Sequence, residues 1–116
     1  MVNKEKPRQH FSSDPLPVRL GGLSATLGRI SSSARVSESP AAVVADLLDE
    51  AKHLIEWTAA EAEPETAAEL VQIQRLIVLW QKGWGMSASD RTQQVLLSTL
   101  AKSWSDKVLE SSGLLS

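Results

Sequence analysis

The chain has 116 residues, 42% of them hydrophobic, with 12 Lys and Arg against 14 Asp and Glu, and it contains no Cys and no Tyr. Its length fits one domain, and the missing Cys excludes a disulfide framework, a thiolate zinc site, an Fe–S cluster and a cysteine nucleophile. No apolar run approaches the ~18 residues of a membrane span. Residues 1–10 are charged and lead into no apolar stretch, unlike a secretory signal, so the expected setting is cytoplasmic.

The net charge of −2 conceals two unlike parts. Residues 1–38 carry six basic side chains against three acidic ones, and residues 39–116 carry six basic against eleven acidic. Eight of those acids lie between Asp46 and Glu69, with only Lys52 among them. A basic leader on an acidic body marks either a partner-facing segment or one that folds back on its own domain.

Residues 1–15 are polar, contain Pro7 and Pro15 and show no apolar periodicity, so they read as a disordered tail. From Leu16 the pattern changes: Leu20, Leu23, Leu27, Ile30 and Ala34 recur at spacings of 3, 4, 3 and 4, a helical stripe. Gly21, Gly22 and Gly28 interrupt it, each at about 1 kcal/mol relative to Ala. Residues 16–38 are therefore a conditional amphipathic helix, formed only when docked, followed by a Ser-rich linker that starts at Ser31.

The body spans residues 39–116. Ser39 and Pro40 read as an N-cap and first helical position. Val44, Leu47, Leu48, Ala51, Ile55, Thr58 and Ala62 share one face, giving a helix that runs to about Glu63 and stops at Pro64. A second body helix starts near Thr66, whose hydroxyl is placed to form a capping box with Glu69. Its stripe is Leu70, Ile73, Ile77, Trp80 and Trp84, and Gly83 and Gly85 are expected to end it. Leu76 to Trp80 are five apolar residues in a row that could pass for a strand, but the flanking residues favour helix. A third begins around Ser87, carries Leu97, Leu100, Ala101, Trp104 and Val108, and ends at Gly113. Helices of roughly 20 residues joined by short turns lie antiparallel to their neighbours. The expected fold is all-α: an antiparallel three-helix bundle, with the N-terminal helix able to complete it to four.

The second body helix is apolar on nearly every side. Val71 and Val78 lie about 90° from its main stripe and Leu79 lies opposite it, a pattern of burial on more than one side. The docked leader, a second copy of the chain and a foreign protein are the three candidate covers, in that order. Trp57 sits about 110° off the stripe of its own helix, as a boundary residue or as an interface anchor, a role for which Trp is enriched. The candidate partner-binding residues are accordingly Trp57, Val71, Val78 and Leu79 on the body and Leu23, Leu27 and Ile30 on the leader.

Chemistry has little to work with. Glu50-Ala51-Lys52-His53 matches a Glu-x-x-His metal spacing, but there is one copy and His53 lies about 150° from its apolar stripe. His53 is instead spaced to pair with Asp49 and Glu56. No Gly-x-Ser-x-Gly elbow is present, His10 and His53 are the only histidines, and Leu20-Gly21-Gly22-Leu23 lacks the strand and Lys-Ser/Thr pair of a phosphate loop. The reading is a non-enzyme with no metal or cofactor. Its leading function is a helical interaction or adaptor protein that binds a protein partner or itself through apolar helix faces. The alternative is a regulatory nucleic-acid binder using the helix–turn–helix-like region 66–110 and the basic leader, disfavoured because the body is net acidic.

Three stretches, Lys52-His53-Leu54-Ile55-Glu56-Trp57-Thr58, Thr66-Ala67-Ala68-Glu69-Leu70-Val71 and Trp104-Ser105-Asp106-Lys107-Val108-Leu109-Glu110-Ser111-Ser112-Gly113-Leu114-Leu115, resemble small uncharacterised helical proteins of cyanobacteria across about residues 20–115. The resemblance implies a cytoplasmic or thylakoid-surface setting and carries over no functional residue.

Overall fold

The computed structural model describes residues 13–36 and 41–114. Among these the chain is all-helical, with α1 (Leu16–Arg35), α2 (Ala41–Ala59), α3 (Pro64–Ser87) and α4 (Arg91–Ser112). No helix is long and apolar enough to cross a membrane. The expected Ser39-Pro40 cap and the tail through residue 12 lie outside the described residues.

Several boundaries move from their expected places for identifiable reasons. Helix α2 stops at Ala59, and Pro64 opens α3 rather than closing α2; at the first helical position Pro has no amide to lose. The Thr66 hydroxyl turns back to donate to the Glu63 carboxylate at 3.2 Å, so the capping box with Glu69 does not form. Gly83 and Gly85 do not end α3, which continues to Ser87. Between them Trp84 is anchored, its indole Nε1 donating to the Ala41 carbonyl on α2 at 3.1 Å. That tertiary hold on the last turns outweighs two weak helix formers. The next helix opens not at Ser87 but at Asp90, whose carboxylate accepts from the amides of Thr92 and Gln93 at 2.9 and 3.3 Å, satisfying two of the otherwise orphaned donors. At its far end Gly113 takes φ 79°, the left-handed stop that glycine makes cheaply.

Helix α1 is a full member of the core. Leu20, Leu23, Leu27, Ile30 and Ala34 are all buried, together with Val44, Leu48, Ala51, Leu54 and Ile55 of α2, Leu70, Ile73 and Ile77 of α3, and Leu97, Ala101, Trp104 and Val108 of α4. The most extensive helix pair is α1 with α4; α2 with α3 and α1 with α2 follow, and α3 touches α4 only lightly. The leader helix thus docks on α4 and α2, not on the outer side of α3 where it was expected. Neither does the Ser-rich segment begin a linker at Ser31, because residues 31–35 continue the helix.

The α1–α4 contact explains both errors. Ser24 Oγ donates to the Ser105 carbonyl and Ser105 Oγ to the Ser24 carbonyl, each at 2.8 Å. Two turns away, Ser31 Oγ and Ser98 Oγ repeat the exchange with each other's carbonyls, again at 2.8 Å. Pairing of 24 with 105 and of 31 with 98 makes the helices antiparallel. A side chain with one carbon between backbone and hydroxyl reaches the facing backbone only when the two helices lie very close. Gly28 sits between the pairs, and a Cβ built there would meet Ser105 Oγ at 3.6 Å. The small residues that weaken α1 in isolation are therefore the face that lets it approach α4.

A second clamp closes the other end. Arg19 is only 6% exposed; its Nε donates to the Asp14 carbonyl at 3.1 Å and its Nη1 to the Trp57 carbonyl at 3.3 Å. The same guanidinium pairs with Glu61 in the α2–α3 turn. One buried cation so ties the start of α1 to the end of α2.

Candidate functional site

The side chains singled out from sequence fall into two groups. Leu23, Leu27 and Ile30 are completely buried between α1 and its neighbours, so they belong to the chain's own core and are not available to a partner. This corrects their assignment as partner-binding residues; the apolar stripe of α1 is used up by α2 and α4. Trp57 is half-buried and packed against the core, its carbonyl accepts from Arg19, and its ring lies 5.8 Å from that of His53. It is a boundary residue of the fold. His53 is half-buried, and its Nδ1 donates to the Asp49 carbonyl at 2.8 Å and lies 3.6 Å from the Asp49 carboxylate. Among the described residues no cluster of three or more His, Asp or Glu is placed to hold a metal ion.

Helix α3 carries the remaining candidates. Leu70, Ile73, Ile77 and Trp84 form its buried face. On the far side Val71 is 41%, Leu79 64% and Met86 89% exposed, with Val78 half-buried between α3 and α2. No other described helix covers this side. Burial on more than one side, expected from the wheel, is thus not met among the described residues.

The outer face is shaped. On the α2 side a hollow of about 490 Å³ is lined by Lys52, Glu56, Gln74, Arg75, Val78 and Leu79. Gln74 braces its wall by donating to the Lys52 carbonyl at 3.3 Å. On the α4 side a smaller hollow of about 220 Å³ is lined by Leu79, Trp80, Gly83, Ser87 and Gln93. Leu79 belongs to both, so it is a ridge between two depressions. Trp80 is held edge-on to Trp84 with ring centroids 6.4 Å apart, which fixes the floor of the smaller hollow. Among the described residues Gly83 has nothing within 4 Å of the position a Cβ would take, so their packing does not require a glycine there.

Sequence reasoning missed two features here. Met86 follows the two glycines, and with the helix expected to end at them it was not placed on the face. Arg75 and Lys82 were counted only as scattered charge, but at spacings of 4 and 3 from Leu79 they lie on the same side of α3. Their spacing was the available signal. The opening of α4, by contrast, is engaged internally: Arg91 Nη1 donates to the Arg35 carbonyl and to Gln94, and Gln94 Nε2 donates to the Ala88 carbonyl at 2.6 Å. Those are the side chains a recognition helix would offer to a groove. No family model matches the chain, and neither a curated protein nor a solved structure shows significant similarity to it.

Proposed function

We propose that this chain is a small non-enzymatic interaction or adaptor protein that works through the outer face of α3. The reading includes its architecture: an antiparallel helical bundle in which the leader helix is a permanent fourth member rather than a mobile arm. The observation that carries it is the exposed run Val71, Leu79 and Met86 on a helix whose opposite face is already satisfied in the core. Exposed apolar side chains rimmed by polar ones mark interaction surfaces on small soluble domains. Two hollows flanking one Leu ridge give that surface relief, which scattered apolar residues do not have. Engagement of Arg91 and Gln94 within the chain is the reason for ranking this above nucleic-acid binding.

The test is site-specific photocrosslinking in the native host, with a photoreactive residue replacing Leu79 and, as a control, Lys107 on the exposed side of α4. A defined adduct from position 79 and none from 107 supports the reading. Equal labelling at both positions, or at neither, overturns it.

A further inference from the structure

We infer that the outer face of α3 receives an amphipathic helix edged with Asp and Glu. This rests on the proposed interaction role of that face and names the chemistry of its partner. Three observations converge. First, the face carries cations: Arg75 and Lys82 flank the Leu79 ridge on α3, and Lys52 lines the larger hollow from α2. Glu56 is the one carboxylate that lines that hollow. Second, two of those cations are uncommitted. Among the described residues the ion pairs are Arg19 with Glu61, Lys52 and His53 with Asp49, and Lys102 with Asp106, and neither Arg75 nor Lys82 has a partner. In a body with eleven acids and six bases, two unpaired cations beside the exposed Val71, Leu79 and Met86 leave this face complementary to a negative edge. Third, the relief suits a helix. A helix laid across the face places apolar side chains at i and i+3 or i+4 on either side of Leu79. One enters the Val78 hollow and the other the notch left open by the missing side chain of Gly83. That notch gives a use to a helix glycine that the packing of the described residues does not demand.

Three cations are fewer than the four to eight that make a basic helix face adhere to anionic lipid, so a protein helix is favoured over a membrane surface. A second copy of the chain is also a poorer fit, because antiparallel self-pairing of α3 sets the Arg75 and Lys82 edge against itself.

The experiment uses the full chain and a dye-labelled synthetic helix of roughly 18 residues, with Leu at i, i+3, i+4 and i+7 and Glu at the flanking positions. A second peptide carries Lys in place of every Glu. Saturable binding of the Glu peptide, at least tenfold tighter than the Lys peptide and weakened by salt, is the expected result. The double variant Arg75→Glu/Lys82→Glu is expected to invert that preference, with an unchanged far-ultraviolet spectrum showing that the fold is kept. Gly83→Leu, which fills the notch, is expected to weaken Glu-peptide binding about tenfold. Equal binding of both peptides, no binding of either, or a preference unmoved by charge reversal overturns the inference. So does binding to phosphatidylserine vesicles in place of the peptide, or reversible self-association by sedimentation that Leu79→Asp abolishes. An adduct from position 79 in the host without Glu-peptide binding refutes this partner chemistry alone, whereas absence of both refutes the interaction role as well.

Discussion

Replacing Ser98 separates what the α1–α4 contact owes to hydrogen bonding from what it owes to size. Ser98 is fully buried, donates to the Ser31 carbonyl at 2.8 Å, and lies with its oxygen 3.3 Å from Ser31 Oγ. Each hydroxyl has one hydrogen, and in both cases it goes to the opposing backbone. Ser98→Ala therefore removes one interhelix hydrogen bond, a net loss of about 1 kcal/mol. It leaves the Ser31 hydroxyl satisfied, because Ser31 Oγ still donates to the Ser98 carbonyl, which the substitution leaves in place. Ser98→Leu loses the same bond and enlarges the side chain by two heavy atoms where the α1 backbone lies. Overpacking of that kind costs about 1–3 kcal/mol more, and pushing the helices apart also breaks the Ser31 bond. The total for Leu is about 3–5 kcal/mol. For a domain of this size 1 kcal/mol moves the melting temperature by roughly 4 °C, so the two variants are well resolved. Urea unfolding followed by tryptophan fluorescence and circular dichroism measures both, since Trp104 is buried on α4. The double variant Ser98→Ala/Ser105→Ala is expected to be additive within about 0.5 kcal/mol, because the two hydroxyls stand two turns apart on α4, about 10 Å, and donate to different carbonyls, those of Ser31 and Ser24. Leu costing no more than Ala would refute the close approach, and strong coupling in the double variant would refute the hydrogen-bond assignment.

Other substitutions test other contacts. Gly83→Ala is expected to raise stability by about 1 kcal/mol, read as a higher urea midpoint, since the new methyl meets nothing within 4 Å; a loss would show that α3 does not continue through this turn. Arg19→Met should lower stability by about 2 kcal/mol, because it removes charge-assisted bonds to two carbonyls. Glu61→Gln should change the same denaturation curve by under about 0.5 kcal/mol, its carboxylate being 58% exposed and largely screened; equal effects would mean that the ion pair, not the carbonyl bonds, is what matters. Asp90→Ala is expected to cost about 1 kcal/mol, visible as faster amide exchange at Thr92 and Gln93.

Much of this fold was readable from apolar spacing. The stripes of all four helices point where the wheels place them, because burying a continuous apolar face is the largest driving force available. What escaped reading was carried by small residues. Gly28, Ser24 and Ser31 look like weak helix and linker when each residue is scored for its own propensity. They become a contact face only when matched with Ser98 and Ser105, which stand seven residues apart just as Ser24 and Ser31 do. That match between distant segments was visible, but it has meaning only once the two helices are known to be neighbours. The same limit applied at Gly83 and Gly85, where the indole of Trp84 anchored on α2 keeps the helix going. At the surface, the wheel placed Val71 and Leu79 outside the main stripe correctly, whereas Leu23, Leu27 and Ile30 were assigned outward because their covering helix was unknown. The pairing of His53 with Asp49 was legible, being local to one helix; the Arg19 clamp, which joins three segments, was not.

The bonds that join α1 to α4 span 67 and 81 positions of sequence, so the first described helix and the last are mutually dependent. During synthesis α1 emerges before the other three helices and carries residues poorly suited to standing alone as a helix, yet its main partner is the last of the four to be made. Folding that waits on such distant pairing is slow compared with local helix formation, and α1 remains open to proteases and to unintended contacts until Arg91 and the residues beyond it have been added. A chain interrupted before α4 would lose more than its final segment: its opening helix would have nowhere to dock.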